Sequence, residues 1–143
     1  MEMLDDVKIL DFTTNVAGPG ASAIATDFGA QVIKIESQSG DSARTYAPFI
    51  EGKGMTHAWI NRGKKSIVMN LKDPRAIEIC KQLVKDADVL VEGFRPGVMD
   101  RLGLGYEAMK EINPKLVYCS VSAFGQTGPY ASRPGFDLLG QAI

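Results

Sequence analysis

The stretch from Val7 to Glu36, which reads VKILDFTTNVAGPGASAIATDFGAQVIKIE, most constrains what this chain can fold into. An apolar run ending at Asp11–Phe12 predicts a strand, and Gln31–Ile35 predicts a second one. Between them, apolar residues at helical spacing predict a helix that begins just after Pro19 and ends before Gly29. Strand, glycine turn, helix and strand form a βαβ unit, which requires parallel strands and a right-handed crossover.

The remainder of the chain predicts more of the same sheet. Asp73 and Pro74 give a helix start, with a capping side chain followed by proline at the first helical position. Further strands are predicted at Ser66–Leu71, Val89–Val91 and Leu116–Ser120, and helices at Pro74–Ala87, Pro96–Leu102 and Tyr106–Ile112. The glycine-rich stretch Ser37–Thr56 is predicted to be a loop. This alternation predicts an α/β fold, with a Rossmann-like, open, mainly parallel sheet and flanking helices, in one domain over residues 1–143.

Composition narrows the class of protein. A formal net charge of −1 gives no electrostatic reason to expect nucleic acid or an anionic membrane as partner. The N-terminus is acidic and apolar runs are short, so we expect a cytoplasmic protein. Cys80 and Cys119 have no metal-ligand spacing, so we expect no metal site, and buried, reduced thiols in preference to a disulfide or a redox pair. The apolar, helix-like stretch Phe136–Ile143 stops without a polar tail, which indicates the front part of a longer protein.

Gly18–Ala23 fits the dinucleotide-binding pattern G-x-G-x-x-G/A, and Glu36 lies near the expected position of a ribose-binding acid. Pro19 removes one backbone donor from that turn, however, and five residues separate the strand from the first glycine. The alternative is that the glycines only let a helix start close to the sheet edge. The only histidine, His57, is expected to be packed or solvated.

Basic residues follow two of the predicted strands, and the ordinary interpretation of such charges is a solvated face. Lys72 and Arg95 would both lie beyond the carboxyl ends of the sheet, where open α/β sheets bind ligands, and would suit a phosphate-rich one. The segment Phe124–Tyr130 follows the fifth predicted strand, and its two glycines permit close backbone approach to a bound group.

Three blocks, Val89–Tyr106, Asn113–Tyr130 and Arg133–Ala142, closely resemble the family III CoA-transferases, also called the CaiB/BaiF family. VKILDFTTNVAGP, GAQVIKIE and NRGKKSIVMNLK match that family's opening pattern in the same order. The resemblance implies that coenzyme A is moved between carboxylic acids through mixed anhydride and thioester intermediates on one aspartate. It also implies that CoA lies against the Rossmann-like domain of an interlocked homodimer and that Gly20 is incidental, so that the glycine pattern does not imply NAD.

By position, the resemblance implies CoA or acyl-CoA contacts in the loops that follow the strands. The implied contact residues are Val16, Ala17, Ser37, Met69, Lys72, Gly93, Phe94, Arg95 and Arg101, and the implied pocket residues are Phe124, Gly125 and Asp137. Lys72 and Arg101 would meet phosphates, and Phe94 the adenine or pantetheine. The chain departs from the family pattern at Gly93, where several members have Asn, and at Ser37, where some have Arg.

The nucleophilic aspartate of the family lies in a G-D-x-x-x-G-like segment, which we expect beyond Ile143, so no catalytic residue is assigned and Asp137 is not the nucleophile. Related α-methylacyl-CoA racemases have a histidine base where this chain has Phe136, which disfavours that activity. We therefore expect the N-terminal part of a two-domain CoA-transferase, inactive alone. A racemase-like enzyme, an NAD-binding oxidoreductase domain and a non-catalytic fragment are the alternatives.

Overall fold

The computed structural model describes residues 2–142, apart from the side chain of Asp137. The strands are β1 (Lys8–Phe12), β2 (Gln31–Glu36), β3 (Phe49–Ile50), β4 (Lys53–Gly54), β5 (Lys65–Val68), β6 (Val89–Glu92) and β7 (Val117–Ser120). Five of them form one sheet in the order β5-β2-β1-β6-β7, and every neighbouring pair is parallel. The two short strands β3 and β4 pair separately as an antiparallel hairpin. The predicted α/β fold with a mainly parallel sheet is confirmed.

Helices connect these strands and flank the sheet. They are α1 (Ala17–Asp27), α2 (Met55–Ile60), α3 (Pro74–Lys85), α4 (Val98–Arg101), α5 (Tyr106–Ile112) and α6 (Asp137–Gln141), with a 3-10 helix at Ser42–Thr45. The helix start predicted at Asp73 is confirmed, because its side chain accepts a hydrogen bond from the backbone N–H of Arg75. Within residues 2–142, no helix has both the length and the apolarity needed to cross a bilayer.

Several predicted boundaries were wrong. Helix α1 begins at Ala17, so Pro19 lies in its first turn, where a missing N–H has no cost because those donors lack helical acceptors. The third predicted strand ends at Val68 and not at Leu71. Helix α4 begins only after Gly97, whose left-handed backbone (φ 78°) prevents an earlier start. The predicted loop Ser37–Thr56 also contains the 3-10 helix and the β3–β4 hairpin.

The core has a layer on each face of the sheet. On one face, Leu10, Phe12 and Leu90 pack with Val84 of α3 and Met109 of α5. On the other face, the buried residues Ile9, Val32 and Val91 pack with Ala25 of α1. Cys80 is buried as predicted, but Cys119 is exposed because the α1 face of the edge strand β7 is less covered. The expectation of two buried thiols was therefore wrong for Cys119.

The strand order creates a switch point in the sheet. From β1 the chain moves outward to β2 and β5, and then returns to place β6 on the opposite side of β1. The loops that follow β1 and β6 therefore diverge at the carboxyl edge of the sheet. In open α/β sheets ligands bind in the crevice that this divergence creates.

Candidate functional site

Most of the implied contact residues lie at the carboxyl edge of the sheet. Val16 and Ala17 are exposed at the start of α1, and Ser37 directly follows β2. Met69 directly follows β5, and Gly93–Arg95 directly follow β6. Because the five strands are parallel neighbours, these segments share one edge, and the loops after β1 and β6 border the switch point.

The loops after β1 and β6 are in contact at Gly93. A Cβ atom added to Gly93 would lie 3.6 Å from Cγ2 of Thr13, which is an ordinary van der Waals distance. Its φ lies outside the left-handed range, so the backbone does not require glycine here. An asparagine at this position would therefore meet no steric barrier at its first side-chain atom.

Lys72 and Arg101 line the same shallow groove of about 300 Å³. Lys72 lies between β5 and α3, and Arg101 is the last residue of α4. The groove floor is apolar, and Glu78 adds one negative charge to its wall. Phe94 is half-buried and packs against the main core, while Arg95 is exposed. Two cations over an apolar floor can bind a phosphate group beside a less polar ligand portion.

A larger cavity of about 360 Å³ opens between α3 and the strands β1 and β2. Its lining includes Lys8, Gln31 and Lys65, the first residues of three strands, so it lies towards the amino edge of the sheet. None of the implied contact residues lines it. The two cavities are thus separate, and the groove at Lys72 and Arg101 is the one that coincides with the sequence prediction.

The segment after β7 holds two implied pocket residues. Phe124 packs edge-on against Tyr130, with 5.9 Å between ring centroids. Gly125 adopts a left-handed backbone with φ 78°, which favours glycine. The side chain of Asp137 lies outside the described part of the structure, so no contact is assigned to it.

Beneath the loop that joins β1 to α1 lies a group of acidic and basic side chains that sequence reasoning missed. We call it the charge cluster, and it consists of Asp11, Lys34, Glu36, Asp41, Lys64 and Arg44. All except Arg44 have side chains at most 3% exposed, and Arg44 is half-exposed. The three acids balance the three bases, so the cluster as a whole has no formal net charge.

Asp11 accepts hydrogen bonds from four groups. Lys64 Nζ donates to Asp11 Oδ2 at 2.9 Å, and Ser22 Oγ of α1 donates to it at 2.6 Å. The backbone N–H of Thr13 donates to Oδ1 at 2.8 Å, and the Thr13 hydroxyl donates to the same atom. Burial raises the pKa of Asp11, but Lys64, Lys34 and these hydroxyls outweigh burial, so its pKa lies below the ordinary value. Asp11 is therefore ionised at neutral pH.

Lys34 and Asp41 form the second buried pair, with 2.8 Å between Nζ and Oδ2. Lys34 Nζ also donates to the backbone oxygen of Thr13 at 2.8 Å. Asp41 Oδ1 accepts from the backbone N–H groups of Ala43, at 2.9 Å, and Asn15, at 3.1 Å. Asp41 therefore caps the 3-10 helix and binds the β1–α1 connection at the same time.

Glu36 is fully engaged by protein groups. Arg44 binds both of its carboxylate oxygens, with Nη2–Oε1 at 2.8 Å and Nε–Oε2 at 3.1 Å. Ser66 Oγ donates to Oε1 at 2.6 Å, and the backbone N–H of Asp41 donates to Oε2 at 2.9 Å. Burial raises the pKa of Glu36, but these donors outweigh burial and lower it to about 2.

These contacts remove both supports of the nicotinamide hypothesis. The glycines Gly18 and Gly20 lie in the first turn of α1 and not in a phosphate-cradling loop. Glu36 is 4% exposed and both of its carboxylate oxygens already accept protein hydrogen bonds, so it cannot hold a ribose as the dinucleotide pattern requires. The interpretation that these glycines let a helix start close to the sheet fits the structure.

His57 lies on α2, near the charge cluster. Its Nε2 atom is buried and has no hydrogen-bond partner among the described residues. Burial is the main cause that lowers its pKa, with Arg44 adding to the effect. His57 is therefore neutral at pH 7, in line with the expectation of a packed histidine.

The sequence contained one signal for the charge cluster. Asp11 and Lys34 are charged residues inside strands that are otherwise apolar, and central strands of a parallel sheet are buried on both faces. A buried charge needs a partner, so the presence of ion pairs could have been predicted. Their identity could not, because Lys64 and Asp41 come from connections whose path the residue pattern does not fix.

Comparison with known proteins identifies related sequences over nearly the whole chain. The profile of CoA-transferase family III matches residues 4–143. The chain is 49% identical over 140 residues to an acetyl-CoA:oxalate CoA-transferase of Acetobacter aceti, covering 97% of this chain and 36% of that protein. It is 44% identical over 142 residues to the succinyl-CoA:glutarate CoA-transferase of Homo sapiens, covering 98% of this chain and 32% of that protein.

Solved structures of related proteins share the fold of this chain. The crystal structure of a CAIB/BAIF family protein from Brucella suis superposes with a TM-score of 0.93 at 41% sequence identity. The superposition covers 99% of this chain and 39% of the Brucella chain. The chain thus spans about a third of the length of the curated relatives that it matches.

Proposed function

Because the chain belongs to CoA-transferase family III, we propose that it is the N-terminal part of an enzyme that moves coenzyme A from an acyl-CoA donor to a carboxylic acid acceptor. The observation that carries this proposal is the groove shared by Lys72 and Arg101, close to the carboxyl edge of the sheet. Two residues that the family pattern implies as phosphate contacts, and that are distant in sequence, are neighbours in space.

In this proposal the chain binds and orients CoA. Lys72 and Arg101 hold its phosphates, and Phe94 lies against the adenine or the pantetheine. Val16, Ala17, Ser37, Met69, Gly93 and Arg95 complete the contact surface along the carboxyl edge. Phe124, Gly125 and Asp137 line or support the pocket. Fixed contacts of this kind position the thioester for attack, and positioning of the reactants is the main way in which binding accelerates an acyl exchange.

The chemical step requires a carboxylate nucleophile. It attacks the acyl carbon of acyl-CoA, giving a mixed anhydride and free CoA thiolate, and the thiolate then attacks the enzyme carbonyl to form an aspartyl-CoA thioester. The departing carboxylate is replaced by the acceptor, and the two steps run in reverse. We place the nucleophilic aspartate beyond Ile143 in a cytoplasmic homodimer, so the 143 residues alone bind CoA without transferring it.

Calorimetric titration of the chain with CoA tests this proposal, with NAD as the control ligand. We expect CoA to bind and NAD to give no heat. Lys72→Ala and Arg101→Ala should each weaken CoA binding by about tenfold or more, the usual effect of losing a charged hydrogen bond. Lys115→Ala removes an exposed lysine next to the amino end of β7 and should leave CoA affinity unchanged.

Pantetheine, which lacks the nucleotide phosphates, separates a phosphate role from general damage to the site. Its binding should be equal in the unmodified chain and in Arg101→Ala. A chain that binds NAD as well as CoA, or that binds no CoA, would contradict the proposed site. CoA transfer at an enzymatic rate by the 143 residues would contradict the placement of the nucleophile beyond them.

A further inference from the structure

The connection between β1 and α1 is held in place almost entirely by the charge cluster and its neighbours. We call residues Thr13–Val16 the first loop; it lies at the switch point and leads directly into Ala17, the first residue of α1. Lys34 Nζ donates a hydrogen bond to the backbone oxygen of Thr13 at 2.8 Å. The exposed residue Val16 and its neighbour Ala17 are themselves free to face a ligand.

Asn15 is the residue of the first loop with an unusual backbone. Its φ is 68°, in the left-handed region that non-glycine residues rarely adopt and that asparagine tolerates better than most. Among residues 2–142, the hydrogen bonds that join it to the fold beyond its neighbour Thr14 all go to one segment, residues 41–46. Its N–H donates to Asp41 Oδ1 at 3.1 Å, and its Oδ1 accepts from Ser42 Oγ at 2.7 Å and from Tyr46 Oη at 2.6 Å.

The Asp41 carboxylate that binds Asn15 is itself fixed. It pairs with Lys34 at 2.8 Å, and the side chains of both residues are at most 1% exposed. Its own backbone N–H donates to Glu36 at 2.9 Å. Several bonds hold the Asp41 carboxylate in one position, and electrostatic interactions are stronger in a low-dielectric interior. The hydrogen bond from Asn15 to this carboxylate therefore restricts the position of the Asn15 backbone.

We propose that Asp41, Tyr46 and Asn15 form a clasp that sets the conformation of the first loop, so that Asn15 and Asp41 are positioning residues for the ligand surface at Val16 and Ala17. None of the three clasp residues is among the implied ligand contacts. The inference rests on the proposed function for the identity of the ligand, while the clasp itself stands on the contacts of the described residues.

The variants Tyr46→Phe and Asn15→Gly test the clasp without removing a buried charge. Tyr46→Phe deletes only the hydroxyl that binds Asn15. Asn15→Gly deletes the whole side chain but keeps a residue that adopts a left-handed backbone freely. Tyr106→Phe deletes a hydroxyl on α5, away from the first loop, and is the matched control.

Amide hydrogen exchange of peptides covering residues 13–17, measured by mass spectrometry, reports directly how readily the first loop opens. Loss of one neutral hydrogen bond of about 1 kcal/mol should speed exchange there by about fivefold in Tyr46→Phe, and by more in Asn15→Gly. Exchange of peptides from β6 and β7 should stay unchanged. Because Tyr46 acts through Asn15, the double variant should exchange no faster than Asn15→Gly alone, a non-additivity that independent structural damage would not give.

CoA titration of the same variants forms the second arm. CoA affinity should fall in Tyr46→Phe and should fall further in Asn15→Gly. It should stay unchanged in Tyr106→Phe. Unaltered exchange in residues 13–17, or faster exchange with unaltered CoA affinity, would overturn the positioning role. Absence of CoA binding to the unmodified chain would contradict the proposed function, and the exchange arm would still decide whether the clasp fixes the first loop.

Discussion

Lys64 and Asp11 are 53 positions apart in the sequence, yet Lys64 Nζ lies 2.9 Å from the Asp11 carboxylate. Their side chains are 1% and 0% exposed. Lys64 also donates to the backbone oxygen of Pro19 at 2.8 Å and to Asn61 at 3.0 Å. One ammonium group therefore joins β1, the first turn of α1 and the turn before β5.

Removing one partner of this buried pair should be strongly destabilising. Lys64→Met leaves the buried Asp11 carboxylate without its ion-pair partner, so we expect the free energy of unfolding to fall by about 3–5 kcal/mol, measured by urea denaturation. The double variant Lys64→Met with Asp11→Asn should lose less than the sum of the two single changes.

The exposed pair Arg75–Asp73 gives the control for that experiment. Its ion pair is as short, at 2.7 Å, but Arg75 is 89% exposed. Arg75→Met should therefore cost less than about 1 kcal/mol. Equal losses at the two pairs would contradict burial as the source of the difference.

Glu36 should make stability depend on acidity. Its pKa is lowered from 4.5 to about 2, so the folded state favours the ionised form. The stabilisation is fully present above pH 4.5 and is lost as the pH falls from 4.5 towards 2. Urea midpoints measured across this interval should fall for the unmodified chain.

In Glu36→Gln the same curve should be lower at neutral pH and shallower in acid, because one titrating carboxylate is gone. Other carboxylates, Asp11 among them, keep some acid dependence in both proteins. Parallel curves for the two proteins would show that Glu36 does not have a lowered pKa in the folded state.

The two glycines in the first turn of α1 should respond in opposite ways to alanine. A Cβ at Gly18 would lie 2.6 Å from Thr13 Oγ1, so Gly18→Ala forces the helix away from β1 and should cost about 1–3 kcal/mol. A Cβ at Gly20 would meet nothing within 4 Å, and Gly20→Ala should stabilise the helix by about 0.5–1 kcal/mol. Thermal unfolding of both variants decides this; a loss at Gly20 equal to that at Gly18 would contradict the steric account.

The sequence predicted the parts of the fold that local pattern controls. The βαβ unit over Val7–Glu36 and the helix start at Asp73–Pro74 follow from periodicity and capping, which involve near neighbours in the chain. The start of α1 was misplaced because Gly18–Gly20 are turn formers in isolation, whereas packing of Gly18 against Thr13 sets the actual start. Long-range packing overrode local preference there.

The site was predicted less completely than the fold. Sequence reasoning placed Lys72 near a ligand edge, and the structure brings it beside Arg101 in one groove. It missed Asp41 and Lys64, because the importance of each depends on a partner brought near by the sheet. Residue type alone does not distinguish a buried lysine from a solvated one, and most lysines in proteins are solvated.

The order of strands also has a consequence for the time course of synthesis. β1 pairs with β2, which follows it directly, and with β6, which begins only at Val89. A chain growing from its N-terminus can therefore pair one side of β1 early, whereas the other side waits until most of this sequence has left the ribosome. That late side borders the switch point. The switch point is thus the part of the sheet centre that is completed last during translation.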